Sequence, residues 1–417
     1  MGAYRITGGT PLCGCVRIHG AKNSVLPILA ATLLCRGECL LQNCPDITDV
    51  SDAIEILRTL GCTVTRDGET LRVNTDAAQS VPIPRHLMRK MRAAVIFLGP
   101  LMARFSKARL SEPGGCFLGN RPIDLHLRGL ERMGAACTYE AENLICTAGR
   151  LKPCTLALPL PSVGATENLL LAALACEGET VLCNAAREPE ITDLICFLRT
   201  CGADIKGDGT SVLRINGGKP LHGANYRILP DRMEAATYLA ACAATRGSVK
   251  LCEVCPQHLA AVTDVLRRGG CEIEETQTEL FISCSVLQAV SPISTAPYDG
   301  FPTDAQAPVM AAMATAEGIS IFEETVFSDR LRHVPALRAM GAEILTVGRQ
   351  AIVYGKKTLY GANVTATDLR GGAAMVIAAL SAQGESRIDK TEHITRGYTA
   401  FDCVLRQLSA NVTEEKD

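Results

Sequence analysis

The sequence carries almost no net charge, because 42 lysine and arginine residues are balanced by 44 aspartate and glutamate residues. A nucleic-acid-binding protein needs many cations on one face to neutralise phosphates, so this balance argues against nucleic acid as a partner. The chain also lacks any stretch approaching the roughly 18 apolar residues of a membrane span, and its first residues contain no apolar signal core. These absences predict a cytoplasmic protein with no membrane association.

Cysteine, by contrast, is abundant, with 20 residues scattered over 417 positions. Disulfide frameworks are typical of short secreted chains, so we interpret most of these cysteines as core-filling residues, as at Cys176 and Cys242. Cys252 and Cys255 have the spacing of metal ligands, but no second pair follows at zinc-finger distance. We expect two buried thiols on a β-strand there, and no metal site.

Cys116 has a different setting from the other cysteines. Two glycines precede it, and an arginine, an aspartate and a histidine follow within ten residues. A thiol on an exposed loop near cations favours the thiolate, whereas a thiol in an apolar helix stays protonated. The pattern predicts a reactive cysteine.

One sequence pattern recurs along the chain at intervals of about 68 to 73 residues. In each copy a helical apolar stripe ends at a glycine and an alternating segment follows. The five clear copies and a degenerate sixth end at Gly61, Gly134, Gly202, Gly270, Gly341 and Ser409.

A second series of Ala- and Leu-rich helices interleaves with the first. These helices are apolar on all sides, which predicts that they are buried. Asp67-Gly68 and Asp208-Gly209 predict hairpin turns. Each repeat therefore reads as a buried helix, a strand, an amphipathic helix and a hairpin, and six βαβαββ-like copies divide naturally into two domains of three.

The division between the two domains is predicted near residues 226–231, where the third repeat ends. We expect residues 20–229 to form the first domain, which carries the Cys116 loop. Residues 1–19 and 230–417 form the second. The sixth repeat ends without a full hairpin, so the first twenty residues are expected to supply an extra strand segment to this second domain.

The chain resembles the UDP-N-acetylglucosamine 1-carboxyvinyltransferases, which are enolpyruvyl transferases of the EPSP synthase superfamily. The resemblance runs nearly end to end. It is carried by GAKN at 20–23, EPGGCFLGNRPIDLH at 112–126, PSVGATEN at 161–168, NAAREPEI at 184–191, LPDR at 229–232, FPTDAQ at 301–306, TDLR at 367–370 and RGY at 396–398. It implies an α/β fold of two inside-out α/β barrels, each built from three βαβαββ units.

The resemblance also implies a reaction. The family moves the enolpyruvyl group of phosphoenolpyruvate onto the 3-hydroxyl of UDP-N-acetylglucosamine and releases phosphate, which is the first committed step of peptidoglycan synthesis. No cofactor and no metal are implied, and a monomer suffices for catalysis. Cys116 is the implied general acid. Lys22, Arg121 and Arg396, with Arg370 nearby, are implied to hold phosphoenolpyruvate.

Asp304 is implied to contact the attacking hydroxyl and accept its proton. Its position at the start of a buried helix leaves open a second role as the helix cap. His126 has two interpretations as well, since it either orients polar ligands or is a structural histidine. The implied substrate-binding residues are Lys22, Asn23, Arg92, Arg121, Pro122, Ile123, Asp124, Leu125, His126, Ser162, Val163, Gly164, Asp304, Val326, Arg330, Asp368, Arg370 and Arg396.

One departure from the family pattern concerns Leu160, which stands where many members carry a lysine two positions before the Ser-Val-Gly run. That contact to the nucleotide is therefore in doubt. Two alternatives to the main interpretation stay open: the sister transferase that acts on shikimate 3-phosphate, and a low-activity or regulatory paralogue. The glycine-rich loop of the sister enzyme is missing from this sequence.

Overall fold

The computed structural model describes residues 2–90, 92–111, 123–140 and 143–415, without the side chains of residues 92 and 93. The helices are α1 (Lys22–Ala31), α2 (Thr48–Thr59), α3 (Arg85–Lys90), α4 (Leu98–Phe105), α5 (Asp124–Arg132), α6 (Val163–Ala173), α7 (Pro189–Thr200), α8 (Arg232–Thr245), α9 (Ala260–Arg268), α10 (Thr303–Met313), α11 (Val334–Ala339), α12 (Leu369–Ser381) and α13 (Phe401–Gln407). Within these ranges no helix has the length and apolar character needed to cross a membrane.

The strands are short, and none of those described is longer than six residues. They are β1 (Ala3–Thr7), β2 (Cys13–Arg17), β3 (Cys35–Arg36), β4 (Glu38–Gln42), β5 (Thr63–Asp67), β6 (Thr70–Asn74), β7 (Lys107–Ser111), β8 (Ala136–Glu140), β9 (Asn143–Thr147), β10 (Thr155–Ala157), β11 (Gly178–Cys183), β12 (Asp204–Lys206), β13 (Val212–Gly217), β14 (Leu221–His222), β15 (Asn225–Arg227), β16 (Ser248–Cys252), β17 (Glu272–Glu275), β18 (Glu279–Ser283), β19 (Ile293–Ser294), β20 (Ile319–Glu323), β21 (Glu343–Val347), β22 (Gln350–Tyr354), β23 (Asn363–Thr365), β24 (Glu385–Asp389) and β25 (Asn411–Glu415).

The chain divides into two compact units. The first unit contains residues 20–111 and 123–229 of the described chain, and the second contains residues 2–19 and 230–415. Each unit has its own continuous apolar core.

The same four-stranded sheet recurs in both units. In the first unit one sheet has the order β10-β11-β13-β12, and in the second unit another has the order β19-β20-β22-β21. The first two strands of each sheet are parallel, and the remaining pairs are antiparallel. The buried helix connects the parallel pair, and the amphipathic helix then leads into the hairpin, which is the predicted βαβαββ order.

The chain start completes two sheets of the second unit. β1 lies between β24 and β25 and pairs antiparallel with both, so it occupies the place of the missing hairpin strand in the sixth repeat. β2 pairs parallel with β16 and is the outer strand of the fourth repeat.

The Ala- and Leu-rich helices are buried, as predicted. Every residue of α8 is buried, and α10 and α12 each have a nearly continuous run of buried residues. These three helices pack against one another at the centre of the second unit. Alanine side chains let the helices approach closely, so apolar surface is removed from water on all sides of each helix.

The predicted ends of the amphipathic helices are also confirmed. The five glycines that follow these helices have φ between 88° and 101°, in the region that favours glycine. In the sixth repeat Ser409 takes the same conformation with φ of 71°. The Asp67-Gly68 and Asp208-Gly209 turns lie between paired strands, as expected.

The prediction for Cys252 and Cys255 was wrong. β16 ends at Cys252, because Glu253 adopts a left-handed conformation with φ of 53°. Cys255 therefore follows the strand, and both thiols are only half-buried. The Cys252 sulfur lies 3.1 Å from that of Cys15 on β2.

Candidate active site

A carboxylate held by two arginines lies at the start of α10 in the second unit. Arg330 donates from Nη2 to Asp304 Oδ1 at 2.8 Å, and Arg370 donates from Nε to Oδ2 at 3.2 Å. Both arginine side chains are 3% exposed, whereas the Asp304 side chain is 30% exposed. The two buried cations thus restrain a carboxylate that a ligand can still reach.

Asp304 is not the cap of its helix. The N-cap position of α10 is Pro302, and no side chain accepts a capping hydrogen bond there. Asp304 lies one residue inside the helix, and its oxygens accept from the two guanidinium groups. The capping alternative was therefore wrong, because the helix begins at Thr303 rather than after Asp304.

Arg370 is fixed on its far side by Tyr398. The Nη1 atom donates to the phenol oxygen at 3.0 Å, and the guanidinium carbon lies 5.4 Å from the ring centroid. Burial by itself lowers the pKa of Arg370, but Tyr398, Asp304 and Asp231 outweigh it, and the net pKa is raised. The guanidinium group therefore stays charged although it is buried.

Asp368 caps α12 and orders the backbone beside Arg370. Its Oδ1 accepts from the backbone amides of Arg370 and Gly371 at 3.1 and 3.0 Å. His333 is buried nearby, and burial lowers its pKa to about 4 against the opposing field of Asp368. The second unit thus combines Asp304, Arg330, Asp368 and Arg370 in one network.

In the first unit, Lys22 is the first residue of α1 and lies against α2. Its Nζ is 2.5 Å from Asp49 Oδ2, and the two side chains are 12% and 2% exposed. Asn23, the next residue, is exposed. The prediction placed Lys22 at the start of a buried helix, and the structure confirms that position, while Asp49 as its partner was not foreseen.

His126 is bonded to neighbouring parts of the fold. Its Nδ1 lies 2.9 Å from Asn168 Nδ2, and Asn168 also accepts from the backbone amide of Gly99. A Cβ atom on Gly164 would lie 3.3 Å from the His126 ring. The structural interpretation of His126 therefore accounts for its contacts, and Gly164 allows the ring to pack against α6.

The other predicted binding residues are distributed over both units. Ser162 caps α6 by accepting from the Ala165 amide at 3.4 Å. Asp124 begins α5 and lies 3.5 Å from Arg128. Half-buried or exposed positions are occupied by Ile123, Leu125, Val163, Val326 and Arg396. Leu160, the departure from the family pattern, is 53% exposed.

Several predicted residues cannot be placed. Cys116, Arg121 and Pro122 lie in the segment 112–122, outside the described residues, as does the side chain of Arg92. A cleft of ≈540 Å³ in the second unit is lined by Leu12, Arg246 and Cys284 among others. It contains none of the predicted site residues.

Two residues near the predicted set were missed in the sequence analysis as site residues. Tyr398 stands in the RGY motif and supports Arg370, and a motif position of this kind was the available signal. Glu324 is buried and contacts the backbone of Val326. No periodicity in the chain singles it out.

The sequence profile of the family described as EPSP synthase (3-phosphoshikimate 1-carboxyvinyltransferase) matches residues 6–405. UDP-N-acetylglucosamine 1-carboxyvinyltransferase 2 of Caldanaerobacter subterraneus subsp. tengcongensis is 44% identical over 99% of both chains. The protein of the same name from Carboxydothermus hydrogenoformans is 45% identical over 100% of both chains. UDP-N-acetylglucosamine 1-carboxyvinyltransferase of Cellvibrio japonicus is also 45% identical over both full lengths.

Solved structures agree with these sequence matches. The enolpyruvyl transferase NikO from Streptomyces tendae superposes with a TM-score of 0.90 at 27% identity, covering 99% of this chain and 98% of that one. EPSP synthase from Acinetobacter baumannii has a TM-score of 0.76 at 19% identity over both full lengths, which supports the fold alone. The predicted fold class is confirmed. The chain belongs to the EPSP synthase family of enolpyruvyl transferases, and within it to the UDP-N-acetylglucosamine 1-carboxyvinyltransferases.

Proposed function

We propose that this chain transfers the enolpyruvyl group of phosphoenolpyruvate to the 3-hydroxyl of UDP-N-acetylglucosamine and releases phosphate, the first committed step of peptidoglycan synthesis. The observation that carries the proposal is the identity of 44 to 45% with transferases of that name along the full chain. The network around Asp304 adds chemical support, because it presents a restrained carboxylate backed by buried cations.

The reaction proceeds by addition and then elimination. The hydroxyl oxygen of the sugar forms a bond to C2 of phosphoenolpyruvate while a proton adds to the methylene C3, which yields a tetrahedral phosphate ester. Loss of phosphate from C2 and of a proton from C3 then restores the double bond. Cys116 supplies the proton to C3, and Asp304 accepts the proton of the attacking hydroxyl.

Phosphoenolpyruvate carries a phosphate and a carboxylate, so its site requires several cations. Lys22, Arg121 and Arg396 supply them in this proposal, with Arg370 nearby. Arg370 is suited to the task because its charge persists in a buried position and its fork is held by Asp304 and Tyr398. Lys22 carries its charge at a helix N-terminus, which also favours an anion.

The sugar nucleotide contacts the remaining residues of the predicted set. Ser162 caps the N-terminus of α6, and a helix N-terminus suits a phosphate group. Val326 is 40% exposed and offers an apolar contact. The contribution of Arg92 and of residues 121 to 126 is carried over from the family motif.

We propose the same division into domains that the repeats predict, with residues 20–229 in the first and residues 1–19 and 230–417 in the second. The protein acts in the bacterial cytoplasm, where its two substrates are soluble metabolites. Its partners are these small molecules, and one chain carries every residue that the mechanism uses.

A phosphate-release assay with three acceptors tests the proposal. Phosphoenolpyruvate is supplied with UDP-N-acetylglucosamine, with shikimate 3-phosphate or with no acceptor. We expect release only with the sugar nucleotide. Release with shikimate 3-phosphate would assign the chain to the sister reaction, and no release with either acceptor would indicate a paralogue without this activity.

Alkylation tests the role of the thiol separately. An epoxide phosphonate such as fosfomycin mimics the charge of phosphoenolpyruvate and should add once, at Cys116, although 20 cysteines are present. Intact-mass and peptide analysis measure the adduct. Replacement C116D should keep turnover and prevent alkylation, whereas C116S should nearly abolish turnover. An adduct at another cysteine would contradict the assignment.

A further inference from the structure

Glu324 is a buried carboxylate that accepts an unusually large number of hydrogen bonds. Glu324 directly follows β20 in the fifth repeat and is 1% exposed. Five donors lie between 2.8 and 3.1 Å from its two oxygens: Thr295 Oγ1, Val326 N and Phe327 N at Oε1, and Thr303 Oγ1 and Gln306 Nε2 at Oε2.

These donors come from three separate segments of the second unit. Thr295 follows strand β19, Thr303 begins α10, and the amides of Val326 and Phe327 belong to the turn after β20. A buried charge is tolerated only when hydrogen bonds satisfy it. One side chain therefore joins the strand end, the helix start and the turn.

Four of the other repeats are built differently at the equivalent position, and in the second repeat that position, Glu112, lies outside the described residues. The residue directly after β4, β11, β16 and β24 has a left-handed conformation, with φ between 53° and 61°. These residues are Asn43, Asn184, Glu253 and Lys390. Glu324 is not among the residues with positive φ, and its side chain points inward.

The departure occurs in the repeat that carries three of the predicted site residues, Asp304, Val326 and Arg330. Thr303 directly precedes Asp304, and its backbone oxygen accepts from Arg330 Nε at 3.3 Å. Val326 is exposed on the turn whose amide Glu324 holds. Among the five repeats in which this position is described, the fifth alone replaces the left-handed residue with a buried carboxylate.

We propose that Glu324 is a positioning residue, which holds the Val326 turn and the first turn of α10 in the geometry that the sugar nucleotide requires. This inference rests on the proposed function for its ligand. Glu324 does not contact the reacting atoms in this scheme. It acts through the turn at Val326 and through Thr303, the neighbour of Asp304.

The test compares E324A, E324Q and the matched control E253Q by steady-state kinetics. Glu253 occupies the equivalent position in the fourth repeat but is exposed, beside Arg17. We expect E324A to raise the KM for UDP-N-acetylglucosamine by about tenfold or more, since several charge-assisted hydrogen bonds are lost. The KM for phosphoenolpyruvate should change by less than about twofold, as should both constants in E253Q.

The conservative variant E324Q should fall between E324A and the wild type. An amide oxygen can still accept from the two backbone amides, and Gln306 can turn its own oxygen toward the new amide, because that oxygen has no hydrogen-bond partner among the described residues. A purely structural role would lower thermal stability without separating the two KM values.

Hydrogen exchange gives a readout that does not depend on activity. In E324Q and E324A the amides of residues 325–327 should exchange faster than in the wild type, while those of β16 and β18 should not change. If E324A does not fold, E324Q decides. Unchanged exchange and unchanged KM values in E324Q would overturn the inference. A wild type that releases no phosphate with the sugar nucleotide would overturn the proposed function instead, leaving the exchange result to judge Glu324.

Discussion

The starts of α1 and α10 present charges of opposite sign in two different ways. Lys22 on α1 is 12% exposed and is held by one carboxylate that is 2% exposed. Asp304 on α10 is 30% exposed and is held by two guanidinium groups that are each 3% exposed. In the first case both charges are largely buried, and in the second only the partners are.

This difference shows how a fold can present a charged group without letting it move. The buried charges belong to the partner groups. Burying a charge is unfavourable unless it is paired, and these partners pair both with the exposed group and with other acceptors. Arg370 illustrates this, since Tyr398 and Asp304 both accept from it. The carboxylate of Asp304 can thus face a ligand, whereas Lys22 must exchange part of its contact with Asp49 for an anion.

The largest effect is expected from D304N, which keeps the shape of the side chain and removes its charge. We expect kcat to fall about 10²- to 10⁴-fold, the range typical of losing a general base. The control D329N changes an exposed acid in the same repeat that pairs with Arg332. Activity of D304N within about threefold of the wild type would show that the restrained carboxylate is not used in the reaction.

A smaller effect concerns stability in the second unit and its dependence on pH. The folded-state pKa of His333 is lowered to about 4 from an ordinary value of 6.5. The unfolded chain therefore binds this proton at a higher pH than the folded chain does. The stabilising contribution of neutral His333 is complete above pH 6.5 and is lost as pH falls toward 4, by about 3 kcal/mol.

Denaturant unfolding at a series of pH values measures the contribution of His333 to the free energy of unfolding. In H333N the loss of stability between pH 6.5 and pH 4 should be smaller than in the wild type by that amount. The control H222N removes an exposed histidine of the first unit and should leave the pH dependence unchanged. If the free energy of unfolding depended on pH equally in the wild type and in H333N, the low pKa assigned to His333 would be contradicted.

The smallest effect is expected from K22Q, which removes the positive charge of Lys22 in the first unit and keeps a hydrogen-bond donor for Asp49. We expect the KM for phosphoenolpyruvate to rise about 10- to 100-fold, the value of one or two charge-assisted hydrogen bonds. K90Q is the control, since Lys90 is 58% exposed and lies 3.5 Å from Asp52. An unchanged KM in K22Q would mean that Lys22 serves only the ion pair.

The repeats were the part of the fold that local sequence signals predicted well. Gly61 and its four counterparts end amphipathic helices because positive φ is accessible to glycine, and Ser409 shows that the sixth copy keeps the conformation without the glycine. The strand at Cys252 was predicted too long, since the left-handed Glu253 that ends it carries no sequence signal of its own.

The candidate site was predicted less completely. Motif resemblance predicts Asp304, Arg330 and Arg370 as site residues, and the structure brings these three side chains together. It did not identify their supports, because Tyr398, Asp49 and Glu324 act through contacts with residues 27 to 29 positions away in the chain. The capping role considered for Asp304 was wrong for a local reason, because α10 begins two residues earlier than that role requires.

The sequence by itself determined the six-fold repetition, the burial of the apolar helices and the positions of the turns, because hydrophobic periodicity and backbone preference act over a few neighbouring residues. Only the tertiary structure decided that β1 fills the sixth sheet between β24 and β25, and that Arg330 and Arg370 meet on one carboxylate. Such contacts join residues far apart in the chain. Their energies depend on which partners share the same buried space, and no local pattern records this.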